Sequence, residues 1–245
     1  MGIAAEHLVK CYGARTVVDD LSFTLEKGCV LGFIGPNGAG KTTTMRMICG
    51  ILKPTSGRVL IDGIDPAEDP VRARQPLGYL PENAPLYANM TVGSFLAWCG
   101  LMRGLSGAAL RSALGRVMDA CALGSVAADE IESLSKGYRR RVCLAQSIIH
   151  RPSVLVMDEP TDGLDPNQKR EIRGLIRTMR QDCAIIVSTH ILEEIDAVCD
   201  RVLTICSGKQ VFAGSVAEFR AVSGGTLEDS FTQLTVPGGQ GGPAA

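Results

Sequence analysis

Gly35-Pro36-Asn37-Gly38-Ala39-Gly40-Lys41-Thr42-Thr43 is the stretch on which the reading turns. It has the spacing G-x-x-x-x-G-K-[ST] of a phosphate-binding loop. Glycines let the backbone curl until several N–H groups point at one spot, a concavity that holds an anion. Lys41 brings positive charge within reach of a β/γ-phosphate, and the Thr42 hydroxyl suits Mg²⁺. The flanks agree with the motif. Cys29-Val30-Leu31-Gly32-Phe33-Ile34 is an apolar run that reads as a buried strand. Met45, Ile48, Cys49 and Leu52 follow at helical spacing until Gly50 and Pro54 end the helix. The positive end of that helix adds to the loop. Residues 35–43 are therefore the candidate triphosphate contacts.

A second stretch supplies carboxylates. In Val154-Leu155-Val156-Met157-Asp158-Glu159-Pro160, four apolar residues lead into two acids and a proline that ends the strand. A strand apolar on both faces belongs inside a parallel sheet. Its acids then emerge at the carboxyl edge, where open α/β sheets bind ligands. Asp158 is expected to hold Mg²⁺, and Glu159 to orient or deprotonate the attacking water. Ala184-Ile185-Ile186-Val187-Ser188 is another buried strand, and His190 past its end is expected at the same edge. Asp165-Pro166-Asn167-Gln168 opens a helix with Asp165 as N-cap and Pro166 in the first turn. His7 and His150 have no such company.

Composition sets limits. The chain has 245 residues, 45% of them hydrophobic, enough for a sizeable core. Net charge is −1 and the pI near 6.3, which argues against broad nucleic-acid binding. The run Arg139-Arg140-Arg141 is expected on one solvated or interface face. Nine cysteines without a C-x-x-C pair, and a start without a basic or apolar leader, lead to the expectation of a reducing cytoplasm. No apolar run reaches the ~20 residues that span a bilayer.

The rest fits around these motifs. Residues 3–25 alternate as antiparallel strands, with Tyr12 in a turn from which its ring can stack on a base. Residues 56–63 read as a strand closed by an Asp-Gly turn, and 77–83 as a short strand broken by Pro81. From Met90 to about Ile149 the pattern is helical, an insertion assigned to about residues 83–150. Residues 203–214 read as a closing hairpin. The glycine- and proline-rich stretch 236–245 is expected to be a disordered tail. The whole is an α/β fold of domain 1–235, with a mainly parallel sheet around the phosphate loop, an N-terminal antiparallel part and an inserted helical subdomain.

These motifs, in this order, resemble the ATP-binding subunits of ABC transporters over roughly residues 3–235. The family's adenine-stacking aromatic matches Tyr12, its Q-loop Glu82, and its signature Leu134-Ser135-Lys136-Gly137-Tyr138. Its Walker B acid and catalytic glutamate match Asp158 and Glu159. Its D-loop matches Gly163-Leu164-Asp165, and its switch histidine His190. Two departures, Glu82 for glutamine and Lys136 with Tyr138 for glycine and glutamine, resemble the ATPases of ABC-2-type exporters, gliding-motility-like ones included.

The resemblance implies ATP and Mg²⁺ as ligands, with Thr42, Glu82 and Asp158 toward the metal and Lys41, Glu159 and His190 in catalysis. It also implies a head-to-tail pair, as homo- or heterodimer, in which Ser135 and Gly137 face the partner's γ-phosphate, and Asp165 is carried over as a nucleotide contact. A separate integral membrane permease would hold the pair at the inner face of the membrane, and no nucleic acid is implied. A soluble ATPase of translation or repair, or a kinase or GTPase, are competing readings. The first lacks its tandem domains or long insertion here. The second lacks an Asn-Lys-x-Asp guanine reader and leaves the signature and His190 unexplained.

Overall fold

The structure is a computed structural model that describes residues 2–83 and 86–236. Its elements in chain order are β1 (Gly2–Tyr12), β2 (Arg15–Glu26), β3 (Val30–Ile34), α1 (Lys41–Ile48), β4 (Ser56–Ile61), α2 (Pro70–Arg74) and β5 (Leu77–Leu80). Then come α3 (Val92–Met102), α4 (Gly107–Ala120), α5 (Lys136–Ile148), β6 (Val154–Asp158), α6 (Pro166–Met179), β7 (Ala184–Ser188) and α7 (Leu192–Val198). The last are β8 (Arg201–Cys206), β9 (Lys209–Ser215), α8 (Val216–Ala221) and α9 (Leu227–Thr235).

Two sheets form. The antiparallel sheet β2-β1-β4 is N-terminal, as its alternating pattern requires. The larger sheet runs β5-β6-β7-β3-β8-β9 and is parallel except for the closing pair β8 and β9. Its inner strands are apolar on both faces for a visible reason. Val154, Val156, Ala184 and Ile186 point toward the antiparallel sheet and α1. Leu155, Met157, Ile185 and Val187 point toward the helices on the other side. Period-two side chains thus feed two cores from one strand.

Between β5 and β6 the described residues carry α3, α4 and α5, which pack on one another through Leu96, Val117, Val142 and Ile148. Beyond the closing hairpin lie two helices that periodicity did not reveal. Both start with reciprocal caps, Ser215 with Glu218 and Thr226 with Asp229. Of the tail read at 236–245, only Val236 is among the described residues.

The arginine run does not lie on one face. At 3.6 residues per turn, three consecutive residues spread over most of the helix circumference. Arg139 is exposed, Arg141 pairs with Glu171, and Arg140 turns inward with 8% exposure.

Candidate functional site

Sheet register brings the motifs into one row. Ser188 at the end of β7 lies opposite both Phe33 of β3 and Asp158 of β6. The residues that follow these strands are the phosphate loop, Glu159 and His190, so all three leave the same carboxyl edge. They meet in a cleft of about 480 Å³ lined by Tyr12, Asn37, Lys41, Thr42, Thr43, Glu82, Asp158, Glu159 and His190, among others.

The loop needs its glycines at two places for different reasons. Gly40 has φ +107, and a Cβ there would come within 2.6 Å of the Val17 carbonyl oxygen. Gly38 has φ +78 with nothing within 4 Å, so its backbone faces open space. Gly35 and Pro36 turn their carbonyls inward, and Ala39 is buried against the antiparallel sheet. Lys41, only 9% exposed, donates to the oxygens of Gly35 at 2.7 Å and Pro36 at 3.2 Å. An ammonium has three donors, so the cleft is offered what remains. Burial pulls the Lys41 pKa below its ordinary value, and the nearby carboxylates Glu159, Asp158 and Glu82 oppose that pull.

Glu159 is clamped. It has φ 50 without being glycine, a conformation worth of order 1 kcal/mol of strain. Its N–H donates to the Ser188 oxygen at 2.8 Å, and its carbonyl accepts from Arg140 at 2.6 Å. One carboxylate oxygen, Oε1, lies 2.9 Å from His190 Nδ1. The other, Oε2, is buried with no hydrogen-bond partner among the described residues, as are Asp158 Oδ2 and Ser188 Oγ. Buried polar atoms are seldom left unpaired, and such a cluster calls for a ligand, ion or water. Among the described residues no three His, Cys, Asp or Glu side chains converge on a metal-binding point. The orphaned Asp158 Oδ2, in the cleft that Thr42 also lines, fits a Mg²⁺ held by few protein ligands, and the orphaned Glu159 Oε2 is left for a water.

Ser135, Gly137 and Asp165 lie elsewhere. Ser135 caps α5 by accepting from the Tyr138 N–H, and Asp165 caps α6 in a reciprocal box with Gln168. Gly137 backs onto the same Gln168, whose amide a Cβ there would meet at 2.5 Å. Gly137 and Asp165 therefore meet at Gln168, with Ser135 two residues before Gly137, and none of the three lines the cleft of their own chain. Lys136 leans back toward the cleft and pairs with Asp162 at 3.2 Å.

Two charged cleft residues escaped the sequence reading. Asp162 lies in a turn after the strand that carries Asp158. Arg15 faces Tyr12 across the hairpin, a pairing that the tight turn at Gly13-Ala14 already encodes. Tyr12 itself is half exposed at the rim, with the Lys10 ammonium 5.3 Å from its ring centre.

A second cleft, of about 870 Å³, opens between the large sheet and the inserted helices. Its walls are mainly apolar and include Ile51, Pro81, Leu86, Tyr87, Trp98 and Met102. Tyr87, Phe95 and Trp98 pack edge-on or stacked within 6.4 Å of one another.

Comparison with known proteins identifies the family and the fold. The family model described as ABC transporter matches residues 18–162. The probable multidrug ABC transporter ATP-binding protein YbhF of Escherichia coli is 37% identical over 239 residues, which are 95% of this chain and 41% of YbhF. The linearmycin resistance ATP-binding protein LnrL of Bacillus subtilis is 34% identical over 96% of this chain and 75% of its own length. The chain thus spans about two fifths of YbhF. A solved structure described as an ATP binding subunit of ABC transporter superposes with a TM-score of 0.89 at 27% identity, over 96% of this chain and 99% of the other.

Proposed function

The chain belongs to the ABC transporter family, and on that premise we propose that it is an ATP-hydrolysing subunit that drives a separate membrane permease. The observation that carries the reading is Glu159, with one oxygen held by His190 and the other buried without a hydrogen-bond partner among the described residues, in the cleft that Lys41 also lines. That is how a base is prepared for a water and held in one orientation. His190 fixes the Glu159 rotamer and stands at the phosphate edge. Lys41 carries charge to the β/γ-phosphates, and the loop N–H groups cradle them. Tyr12 stacks on the base from the rim. Thr42 and Asp158, with Glu82 opposite, would hold a Mg²⁺, which when bound neutralises phosphate charge.

The position of Ser135, Gly137 and Asp165 outside their own cleft supports a head-to-tail pair with a second ATP-binding subunit. Each signature would then cover the partner's triphosphate. Such a pair binds ATP best when closed, so nucleotide shifts the population toward closure. The described residues contain no helix long and apolar enough to cross a membrane. The apolar cleft beside the inserted helices is the proposed seat of the permease, which would place the chain at the cytoplasmic face of the membrane. The names of YbhF and LnrL, a probable multidrug transporter protein and a resistance protein, support export.

The test is purification of the tagged chain from gently solubilised membranes, with Mg²⁺-dependent ATP hydrolysis measured on the product. Expected are a stoichiometric multi-spanning partner and steady phosphate release. Ribosomal or DNA-repair proteins in place of a membrane protein would overturn the permease reading, and absence of nucleotide binding would overturn the ATPase reading.

A further inference from the structure

Arg140 is buried in α5 and uses every donor it has. A guanidinium carries five N–H groups in a rigid fork. Nε donates to the Pro160 oxygen at 3.2 Å, and Nη1 to the oxygens of Pro81 at 2.8 Å and Glu82 at 2.9 Å. Nη2 donates to the oxygens of Asp158 and Glu159, each at 2.6 Å. All these acceptors are main-chain carbonyls, and they come from two segments far apart in sequence.

The sheet shows why a side chain is needed there. The parallel ladder between β5 and β6 ends at the pair Leu80 and Met157. Pro81 has no N–H and cannot add a rung. Beyond that point Arg140 stands where ladder bonds would have been, and joins 81–82 to 158–160. One joined segment has Pro81 on the apolar cleft and Glu82 on the nucleotide cleft. The other carries Asp158 and Glu159.

Resting on the ATPase reading above, we propose that Arg140 is a positioning residue that makes segment 81–82 and the acids at 158–159 move as one body. What fills the nucleotide cleft is then felt at the apolar cleft, and the reverse. Lysine keeps the charge but has three donors, and glutamine has two, so the linkage weakens in the order Arg, Lys, Gln.

Trp98 is the single tryptophan, and it lines the apolar cleft with its ring centre 5.2 Å from that of Tyr87. Its emission reports that cleft without a label. The purified full chain is titrated with Mg²⁺ and β,γ-imido-ATP, with affinity measured separately by calorimetry and turnover with ATP. Wild type is expected to show a nucleotide-dependent change in Trp98 emission. Arg140→Gln is expected to bind within about threefold of wild type, lose that change, and drop kcat at least about tenfold at unchanged KM. Arg140→Lys falls between, and carries the test if circular dichroism shows that Arg140→Gln does not fold. A variant that keeps both the emission change and kcat overturns the proposal, as does wild type that binds nucleotide without any change at Trp98. A wild-type chain that binds no nucleotide in the calorimeter overturns the ATPase reading itself, and the proposal with it.

Discussion

Two clefts share one short segment, for Pro81 lines one and Glu82 the other. The first, about 870 Å³, is walled by aromatic and aliphatic side chains, with Ile51, Tyr87 and Met102 more than half exposed on it. The second, about 480 Å³, gathers a buried lysine, four carboxylates, a histidine and a glycine-rich backbone. Size and apolarity alone favour the first as a ligand site. The donor set favours the second for the proposed chemistry, because phosphate needs N–H groups and cations rather than aromatic rings. The larger cleft has the makings of a protein contact, an apolar patch that a monomer rarely leaves uncovered.

The sharpest way to break this contrast is Glu159→Gln. It keeps the shape and removes the base, so kcat should fall by roughly 100- to 1000-fold while ATP affinity holds. Phosphate release beside a nucleotide titration measures both, and normal turnover would strip Glu159 of its role. Lys41→Ala comes next. ATP affinity should drop on the order of tenfold or more with the loss of a charge-assisted contact to phosphate, and an unchanged Kd by calorimetry would refute the contact.

On the other side, Met102→Asp puts a charge on the apolar rim. Permease recovery in the membrane pull-down should fall about tenfold while ATP affinity stays within about twofold. Equal recovery would move the docking surface elsewhere. The Lys41 titration sharpens the nucleotide side further. Burial lowers its pKa against the opposing pull of the nearby carboxylates, so its charge is lost as pH rises earlier than for an ordinary lysine. ATP affinity should therefore decline in wild type as pH rises toward the ordinary lysine range, starting below it, and stay flat in Lys41→Ala. The smallest effect belongs to Lys136→Ala. Its pair with Asp162 is exposed on both sides, and such pairs contribute less than ~1 kcal/mol. A shift in the urea midpoint beyond that would assign Lys136 a structural part.

Much of the nucleotide cleft was legible because its chemistry is local. The phosphate loop is contiguous, its glycines answer to backbone geometry, and acids after an apolar strand mark a sheet edge. Asp165 was equally readable as a cap, since its partners lie two and three residues on. The apolar cleft was not legible. Its residues come from the turn after α1, from α2, β5, the segment before α3, α3 and α5, and no periodicity shows which apolar side chains stay uncovered after the helices have packed. Helices α8 and α9 had readable caps at Ser215 and Thr226, but short stripes that a closing hairpin overshadowed.

The sequence by itself determined that a G-x-x-x-x-G-K-T loop and an apolar strand ending in two acids share one chain, because each is a short local pattern, whereas the signature stretch at 134–138 was read by family resemblance. It also determined the two-faced burial of the inner strands, because their side chains alternate at period two. Only the tertiary structure decided that Ser135, Gly137 and Asp165 lie outside their own cleft, and which arginine of three turns inward. Arg140 shows the physical reason. A guanidinium on an exposed helix face and one saturated by carbonyls from two distant strand ends have the same sequence neighbours, and they differ only in where the chain brings Pro81, Glu82 and the 158–160 turn together.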